Sequence, residues 1–147
     1  MVKMAMTDIS QKKPVKRSAT AVGSIFLKDT TIDAVRAGKI KKGDPLVAAE
    51  IAGINAAKQT SLLIPLCHNI QLDLVSLNFL VRKDRIKAMC EVSADAKTGV
   101  EMEALVGVSV ALLTIWDMVK YLEKDVTGQY NHAKISDVQV KKKVKWE

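Results

Sequence analysis

The spacing of apolar and polar residues along the chain predicts four β-strands. Between Ile86 and Ser93, apolar positions alternate with mostly polar ones, which is the period of a strand with one buried face. Leu72–Val81 is apolar at almost every position, which predicts a strand covered on most of both faces. Ala21–Lys28 has a short apolar centre, and Lys134–Trp146 has apolar residues on one face and lysines on much of the other. These two segments are the first and last predicted strands.

Two helices are predicted between the first and second strands. Thr30 or Thr31 can cap a short helix, which Gly38 ends. Asp44 is a good N-cap for a second helix over Pro45–Lys58, because proline fits the first helical position. Small residues along this second helix favour close packing against another backbone.

A longer helix is predicted after the third strand. Thr98 stands three residues before Glu101, which is the spacing of a capping box, and the apolar run then continues to Lys124. Its central part contains only two polar side chains, Ser109 and Thr114, which predicts burial on nearly all sides. Charged residues lie at both ends. This pattern is typical either of a core helix with solvated ends or of a helix that carries functional groups.

The order of these elements predicts one α+β domain over residues 1–147. Strand, two helices, two strands, long helix and strand correspond to a ferredoxin-like βαββαβ sheet with helices packed on one face, plus an extra helix. Residues 1–18 are polar and basic and contain Pro14, and we expect them to form an N-terminal arm.

Composition and charge narrow the class of protein. The chain has 48% hydrophobic and 27% charged residues, which is typical of a globular domain. Its net charge of +7 favours anionic partners such as nucleic acid, an acidic membrane surface or phosphorylated small molecules. The two cysteines, Cys67 and Cys90, form no paired motif, so we expect free thiols and a cytoplasmic location. Charged residues bracket the longest apolar run, and no membrane segment is predicted.

The candidate chemical groups allow both structural and functional interpretations. No phosphate-binding glycine loop, dinucleotide fingerprint or metal-ligand pattern occurs in the sequence. His68 beside Cys67 is, taken alone, more typical of a satisfied structural residue. Asp117 and Lys120 are neighbours on one helix face, where they can form a surface ion pair or an acid–base pair.

The length of the predicted long helix limits how its two ends can work together. Glu103 and Asp117 are 14 residues apart, which corresponds to about 21 Å along a straight helix. Both ends cannot line one small-molecule site in the same subunit. If both are functional, there are either two sites or one site shared between chains.

Five segments of the chain, in order, resemble the MoaC family, the cyclic pyranopterin monophosphate synthases of molybdenum cofactor biosynthesis. The likeness covers about residues 7–135, and its most specific parts are LIPLCH and KTGVEMEAL. The five segments are Lys42–Asp44, Ala49–Lys58, Leu63–His68, Lys97–Leu105 and Asp117–Lys120.

The resemblance implies a reaction and an assembly. The substrate would be 3′,8-cyclo-7,8-dihydroguanosine triphosphate, converted to cyclic pyranopterin monophosphate with loss of pyrophosphate by a phosphorus–oxygen lyase. The subunits would form a homohexamer, a trimer of dimers with active sites at the dimer interface. No cofactor or metal ligand is implied; Mg²⁺ can accompany the triphosphate but is not predicted to be bound by the protein. Nucleic acid and membrane partners are not expected.

The resemblance also implies roles for individual residues. Lys120 and Asp117 correspond to the family's catalytic lysine and aspartate, and Lys42 to another active-site lysine. The positions expected to contact the substrate, its phosphates or the surrounding site are Leu66, Cys67, His68, Met102, Glu103, Lys58, Asp8, Lys12 and Arg17.

Two functions other than this enzyme are compatible with parts of the sequence. One is a basic nucleic-acid-binding module on a ferredoxin-like sheet, a class that stacks bases on exposed aromatic side chains. Only Phe79 lies in a predicted central strand, and aromatic residues make up 4% of the chain, which argues against this alternative. The other is a non-catalytic oligomeric scaffold, which would not need Asp117, Lys120 and His68 together.

Overall fold

The computed structural model describes the whole chain, residues 1–147, as four strands and four helices. The first strand is followed by two helices of 8 and 14 residues and a single-turn helix. A strand hairpin, a 23-residue helix and a last strand complete the chain. The elements are β1 (Val15–Phe26), α1 (Asp29–Arg36), α2 (Pro45–Lys58), α3 (Thr60–Leu63), β2 (Leu74–Val81), β3 (Arg85–Ala96), α4 (Glu101–Glu123) and β4 (Lys134–Lys145).

The strands form one antiparallel sheet in the order β2-β3-β1-β4. The two central strands pair along their whole length, from Val15 opposite Ala96 to Phe26 opposite Arg85. The helices cover one face of the sheet, and the predicted ferredoxin-like α+β fold is confirmed. The connection after β1 contains α1 and α2 as predicted, and the short α3 follows α2 in addition.

The core lies between the sheet and α4. In β3, Ile86, Ala88, Cys90 and Val92 are all fully buried, which confirms the alternation predicted for this strand. Burying the larger of these side chains, Ile86 and Val92, stabilises the fold by roughly 1.5–3 kcal/mol each.

Helices α2 and α4 approach each other closely at two glycines. A Cβ atom added to Gly53 would lie 2.9 Å from the carbonyl oxygen of Gly107, and one added to Gly107 would lie 2.7 Å from Cys90 Sγ. Both distances are too short for a carbon atom, so only glycine fits at this crossing. The prediction of close packing along α2 is confirmed. The Asp44 side chain caps this helix by accepting hydrogen bonds from the backbone N–H groups of Leu46 and Val47.

Helix α4 begins differently from the prediction. Its N-cap is Val100, without a side-chain hydrogen bond, so the capping box from Thr98 to Glu101 is wrong. Glu101 is the first helical residue rather than the third, and its carboxylate instead pairs with Lys143 at 3.2 Å. Burial is also less complete than predicted, because Leu113 is 58% exposed.

By length and composition alone, α4 could cross a membrane. In the fold it is the central core helix, and its fully buried residues include Val108, Leu112, Ile115 and Val119. Its apolar character is therefore explained by packing against the sheet and α2.

The outer strands also depart from their predictions. β2 is an edge strand covered by helices on one face only, so Leu74 and Leu80 are exposed and the prediction of cover on both faces is wrong. In β4, a register shift between Thr20 and Ala21 of β1 places Val140 and Val144 on opposite faces. The predicted single apolar face of β4 is therefore wrong, because a β-bulge moves part of the strand to the other face.

Two boundaries near the N-terminus need correction. β1 begins at Val15 and pairs with β3 from there, so the N-terminal arm ends at Pro14 rather than at residue 18. The N-cap of α1 is Lys28 rather than Thr30 or Thr31. Thr31 is fully buried, and its hydroxyl donates a hydrogen bond to the carboxylate of Glu123.

Candidate active site

The C-terminal part of α4 carries a group of three charged side chains, Lys42, Asp117 and Lys120, here called the lysine cluster. Lys120 Nζ lies 3.1 Å from Asp117 Oδ1, across one turn of the helix. Lys42 comes from the loop between α1 and α2, and its Nζ donates to both Oδ2 and the backbone oxygen of Asp117, each at 3.0 Å. The three residues that the family resemblance placed at the catalytic centre are therefore in contact.

The electrostatics of the lysine cluster favour a bound anion. Hydrogen bonds from Lys42, and then from Lys120, lower the pKa of the Asp117 carboxyl group below its ordinary value. Two ammonium groups share this one carboxylate, which leaves an excess positive charge. All three side chains are between 41% and 57% exposed, so a ligand can reach them.

A shallow cavity of about 410 Å³ lies beside the lysine cluster. Asp117 and Lys120 form its polar side, and four apolar or aromatic residues form the rest. The rings of Trp116 and Tyr130 pack against each other with centroids 5.2 Å apart. The apolar lining residues are Leu113, Trp116, Tyr130 and Ile135. This surface can accept an apolar or ring-containing part of a ligand next to the Lys120 ammonium.

A second cavity, of about 350 Å³ and here called the histidine cavity, lies at the N-terminal end of α4. It contains all the predicted substrate-contacting residues of the α3–β2 connection and of the first turn of α4. The arm closes one side with Thr7, Asp8, Ile9 and Lys12. The predicted residues lining this cavity are Leu66, Cys67, His68, Met102 and Glu103.

His68 joins the arm to the histidine cavity. Its Nε2 lies 2.7 Å from the backbone oxygen of Thr7. Since a carbonyl oxygen can only accept, Nε2 must carry the proton of this hydrogen bond. Asp8 and Lys12, which also lie in the N-terminal arm, line the same cavity.

Glu103 is a buried carboxyl group at the edge of the histidine cavity. It is only 4% exposed, and burial, together with the nearby charge of Glu101, raises its pKa. No lysine or arginine side chain of the same subunit forms an ion pair with it. A carboxylate buried without a cation is unfavourable, so this position suits a positively charged or hydrogen-bond-donating group from outside the subunit.

The two cysteines are not activated thiols. Burial raises the pKa of Cys67, with a further contribution from Glu103, and burial raises the pKa of Cys90 to about 12. The thiolate form, which is the nucleophile, is therefore disfavoured at both positions. Cys67 lines the histidine cavity, and Cys90 lies in the core next to Gly107.

The lysine cluster and the histidine cavity are separate sites within one subunit. Glu103 and Asp117 belong to the same continuous helix, α4, and are 14 residues apart. Their separation along the helix is therefore about 21 Å. The structure brings the predicted catalytic residues together and the predicted substrate-contacting residues together, but it does not join the two groups.

Two predicted site residues lie outside both groups. Lys58 lines another cavity, of about 440 Å³, with residues of α2 and β2. Arg17 is buried in β1, and its Nε donates to the backbone oxygen of Ala96 at 3.1 Å. Their roles toward a substrate stay predictions.

One residue next to the lysine cluster was missed by sequence reasoning. The hydroxyl of Tyr121 accepts a hydrogen bond from the backbone N–H of Lys41, the neighbour of Lys42. Its spacing of four residues from Asp117 places it on the same helix face, which was the available signal. In the sequence alone, nothing indicates that the loop before α2 reaches this face.

Metal ligands do not cluster in this fold. No three side chains of His, Cys, Asp or Glu come close enough together to hold a metal ion. The prediction that Mg²⁺ accompanies the triphosphate without a protein site stays a prediction.

The fold and the site define a class: a ferredoxin-like α+β subunit with a lysine–aspartate cluster and a separate histidine-containing cavity. Comparison with known proteins gives the family, because the model of the MoaC family matches residues 6–145. The chain belongs to the MoaC family, and the resemblance of its sequence segments is confirmed.

Three relatives match nearly the whole chain. A protein of Thermococcus kodakarensis, named probable cyclic pyranopterin monophosphate synthase, is 56% identical over 97% of this chain and 91% of its own length. A Pyrococcus furiosus protein of the same name is 55% identical over the same shares. A Methanothermobacter thermautotrophicus protein, named probable cyclic pyranopterin monophosphate synthase accessory protein, is 53% identical over 97% of this chain and 89% of its own.

Proposed function

We propose that this chain is a cyclic pyranopterin monophosphate synthase of molybdenum cofactor biosynthesis. It converts 3′,8-cyclo-7,8-dihydroguanosine triphosphate to cyclic pyranopterin monophosphate and releases pyrophosphate. The observation that carries this proposal is the contact of Lys42 and Lys120 with the single carboxylate of Asp117. The similarity to relatives named for this activity supports the choice of reaction.

The lysine cluster suits the charge changes of this reaction. A triphosphate carries several negative charges, and ammonium groups bind phosphate oxygens by charge-assisted hydrogen bonds. When the cyclic phosphate forms, a substrate hydroxyl attacks the α-phosphorus and the bond to the pyrophosphate oxygen breaks. Lys42 and Lys120 are held where they can stabilise the charge that develops on the departing group.

The ring rearrangement requires proton transfers, for which Lys120 is the proposed group. Its Nζ is exposed to the cavity beside α4 and is oriented by Asp117 through the 3.1 Å ion pair. A positioned side chain that donates or accepts a proton in the transition state accelerates such steps. Asp117 keeps the ammonium in place and balances part of its charge.

A complete site requires the lysine cluster of one subunit and the histidine cavity of another. The charges of the two surfaces are complementary. The lysine cluster has two cations for one carboxylate, and the histidine cavity has three carboxyl groups, of Asp8, Glu101 and Glu103, for one lysine, Lys12. Symmetric association can bring opposite ends of two α4 helices together. We therefore propose interface active sites in a homohexamer built as a trimer of dimers.

The remaining assignments follow from this reaction. The substrate is a nucleotide-derived small molecule, and no membrane or nucleic acid partner is proposed. The protein is proposed to act in the cytoplasm and to need no resident cofactor. Phe79 faces the core from β2, an edge strand rather than the predicted central one, so it offers no stacking surface for bases.

The proposed reaction can be tested directly with the purified protein. Incubation with the cyclised guanosine triphosphate is expected to release pyrophosphate and form cyclic pyranopterin monophosphate in equal amounts. Phosphorus NMR follows the phosphates, and mass spectrometry identifies the pterin product. GTP itself serves as the control and should yield no pyrophosphate. Absence of product from the cyclised substrate in a correctly folded sample would contradict the proposal.

The shared site predicts that two inactive variants restore each other's activity. Lys120→Ala damages the lysine cluster and Glu103→Gln damages the histidine cavity, so a mixed dimer contains one site with two intact halves. Random reassembly of equal amounts should recover about a quarter of the wild-type sites. The measurement is turnover of co-expressed, doubly tagged oligomers. A mixture of two different lysine-cluster variants is the control, and it should remain inactive.

If verified mixed oligomers recover no activity, the lysine cluster and the histidine cavity do not form one shared site. The activity of the protein would then remain proposed, while the shared arrangement would be wrong.

A further inference from the structure

The loop that carries Lys42 has little regular structure of its own. It joins α1 to α2 and is bordered by Gly38 and Gly43, whose φ angles are +68° and +114°. Such angles are readily adopted by glycine, which also gives the backbone several alternative conformations. Ile40 is buried and anchors the start of the loop, but Lys41 and Lys42 are exposed.

Two contacts attach the exposed part of this loop to α4. The ammonium of Lys42 binds Asp117, and the backbone N–H of Lys41 donates to the Tyr121 hydroxyl at 2.9 Å. Asp117 and Tyr121 are four residues apart and therefore lie on one face of the helix. The Lys41 ammonium also lies 5.1 Å from the centre of the Tyr121 ring, within the range of a cation–π interaction.

The two contacts respond differently when Lys42 binds a phosphate. When the Lys42 ammonium turns toward a phosphate, its hydrogen bonds to Asp117 are weakened or lost. The bond from Lys41 to Tyr121 uses the backbone and can remain in place. The Gly43 N–H donates to the Ile40 oxygen at 3.1 Å and keeps Lys41 and Lys42 in one turn. The contacts of Lys41 with the Tyr121 hydroxyl and ring then remain as the link between this turn and α4.

We propose that Tyr121 is a positioning residue that holds the Lys42 loop over Asp117 while Lys42 binds the substrate. This inference rests on the proposed function, because it concerns the role of Lys42 in that reaction. Tyr121 does not touch the substrate itself. Its hydroxyl is the acceptor for the Lys41 N–H, and its ring supports the neighbouring ammonium.

The substitution Tyr121→Phe isolates the contribution of the hydroxyl. Phenylalanine keeps the ring and its packing, and the released Lys41 N–H is exposed and can bind water. We therefore expect Tm to fall by only about 2–4 °C, and kcat/KM to fall roughly three- to tenfold, the value of one hydrogen bond. The backbone amide of Lys41 should also exchange with solvent faster, while amides within α2 keep their protection.

A double-mutant cycle with Lys42→Ala distinguishes positioning from a general structural effect. If Tyr121 acts through Lys42, adding Tyr121→Phe to Lys42→Ala causes no further loss of kcat/KM. An equal loss in both backgrounds would overturn the inference, as would wild-type kcat/KM and Lys41 exchange in Tyr121→Phe.

The cycle also separates this inference from the proposed function. If Lys42→Ala lowers turnover and Tyr121→Phe does not, the positioning role is wrong and the proposed role of Lys42 remains. If Lys42→Ala leaves turnover unchanged, the role of Lys42 fails and the positioning role fails with it. Faster exchange at Lys41 would then show only that Tyr121 orders the loop.

Discussion

Replacing Lys120 with alanine is expected to lower kcat about 10²–10⁴-fold, the usual contribution of a positioned proton donor or acceptor. The substitution removes the ammonium that Asp117 orients at 3.1 Å and leaves the contact between Lys42 and Asp117 intact. Stability should hardly change, because an exposed ion pair contributes about 0–1 kcal/mol. The measurement is pyrophosphate release under single-turnover conditions, with Tm and oligomer size determined on the same samples.

Lys124 provides a matched control for this substitution. It lies about one helical turn beyond Lys120, is exposed, and takes no part in the lysine cluster. Lys124→Ala removes the same charge from the same end of α4 and should keep wild-type turnover. Near wild-type activity in Lys120→Ala would show that the proposed catalytic role is wrong. A similar loss in both variants would indicate a general effect of charge.

The topology of the sheet could be predicted because local signals agreed with the global fold. Three local signals each identify one element: the alternation around Cys90 identifies β3, the cap at Asp44 identifies α2, and the long apolar run identifies α4. With four strands and these connections, the ferredoxin-like order was the natural arrangement. The wrong predictions concern features that depend on contacts between segments distant in sequence. The bulge in β4 depends on β1, and the exposure of β2 depends on its place at the sheet edge.

The candidate site was predictable in its residues but not in its contacts. Spacing alone favoured a surface ion pair for Asp117 and Lys120, and the family resemblance was needed to assign them a role. The approach of Lys42 to the same carboxylate depends on the path of a loop that is distant in sequence. The length of α4 did predict that its two ends lie too far apart to line one small-molecule site in the same subunit, since a helix has a fixed rise per residue.

Glu123 shows most clearly what periodicity cannot detect. In the sequence it belongs to the charged end of α4, where either solvation or a functional role is expected. In the structure it is only 2% exposed. The start of α1 lies against it, and the backbone N–H of Lys28 donates to its carboxylate at 3.1 Å. Burial of this carboxylate therefore results from the packing of another helix, which no local pattern in α4 reports.

The Glu123 carboxylate connects two helix ends. It accepts hydrogen bonds from the Lys28 N–H and from the Thr31 hydroxyl in the first turn of α1. In return, the Lys28 ammonium donates to the backbone oxygen of Leu122 at 3.2 Å, at the C-terminus of α4. A negative charge is favourable at the start of one helix and a positive charge at the end of another. The two side chains thus satisfy backbone groups that helix ends leave unpaired.

Glu123→Ala is therefore expected to lower the free energy of unfolding by about 2–4 kcal/mol. Alanine leaves the half-buried Lys28 N–H and the buried Thr31 hydroxyl without this acceptor, and it also creates a cavity. Chemical denaturation with both helix content and tryptophan fluorescence as signals measures the loss. Glu123→Gln keeps the shape and one acceptor oxygen, so its loss should be about 1 kcal/mol.

A double-mutant cycle with Thr31→Val measures how much the hydrogen bond from Thr31 to Glu123 contributes to the free energy of unfolding. Valine removes the hydroxyl that binds Glu123 and nearly preserves the volume of threonine. If the carboxylate stabilises the fold through that bond, Thr31→Val should cost much less in Glu123→Ala than in the wild type. Equal costs in both backgrounds, or a loss below about 1 kcal/mol for Glu123→Ala, would contradict a stabilising connection.

Because α1 leads directly into the loop of Lys42, the same cycle can be repeated with turnover as the signal. A loss of stability without loss of turnover at low temperature would confine the role of Glu123 to the fold.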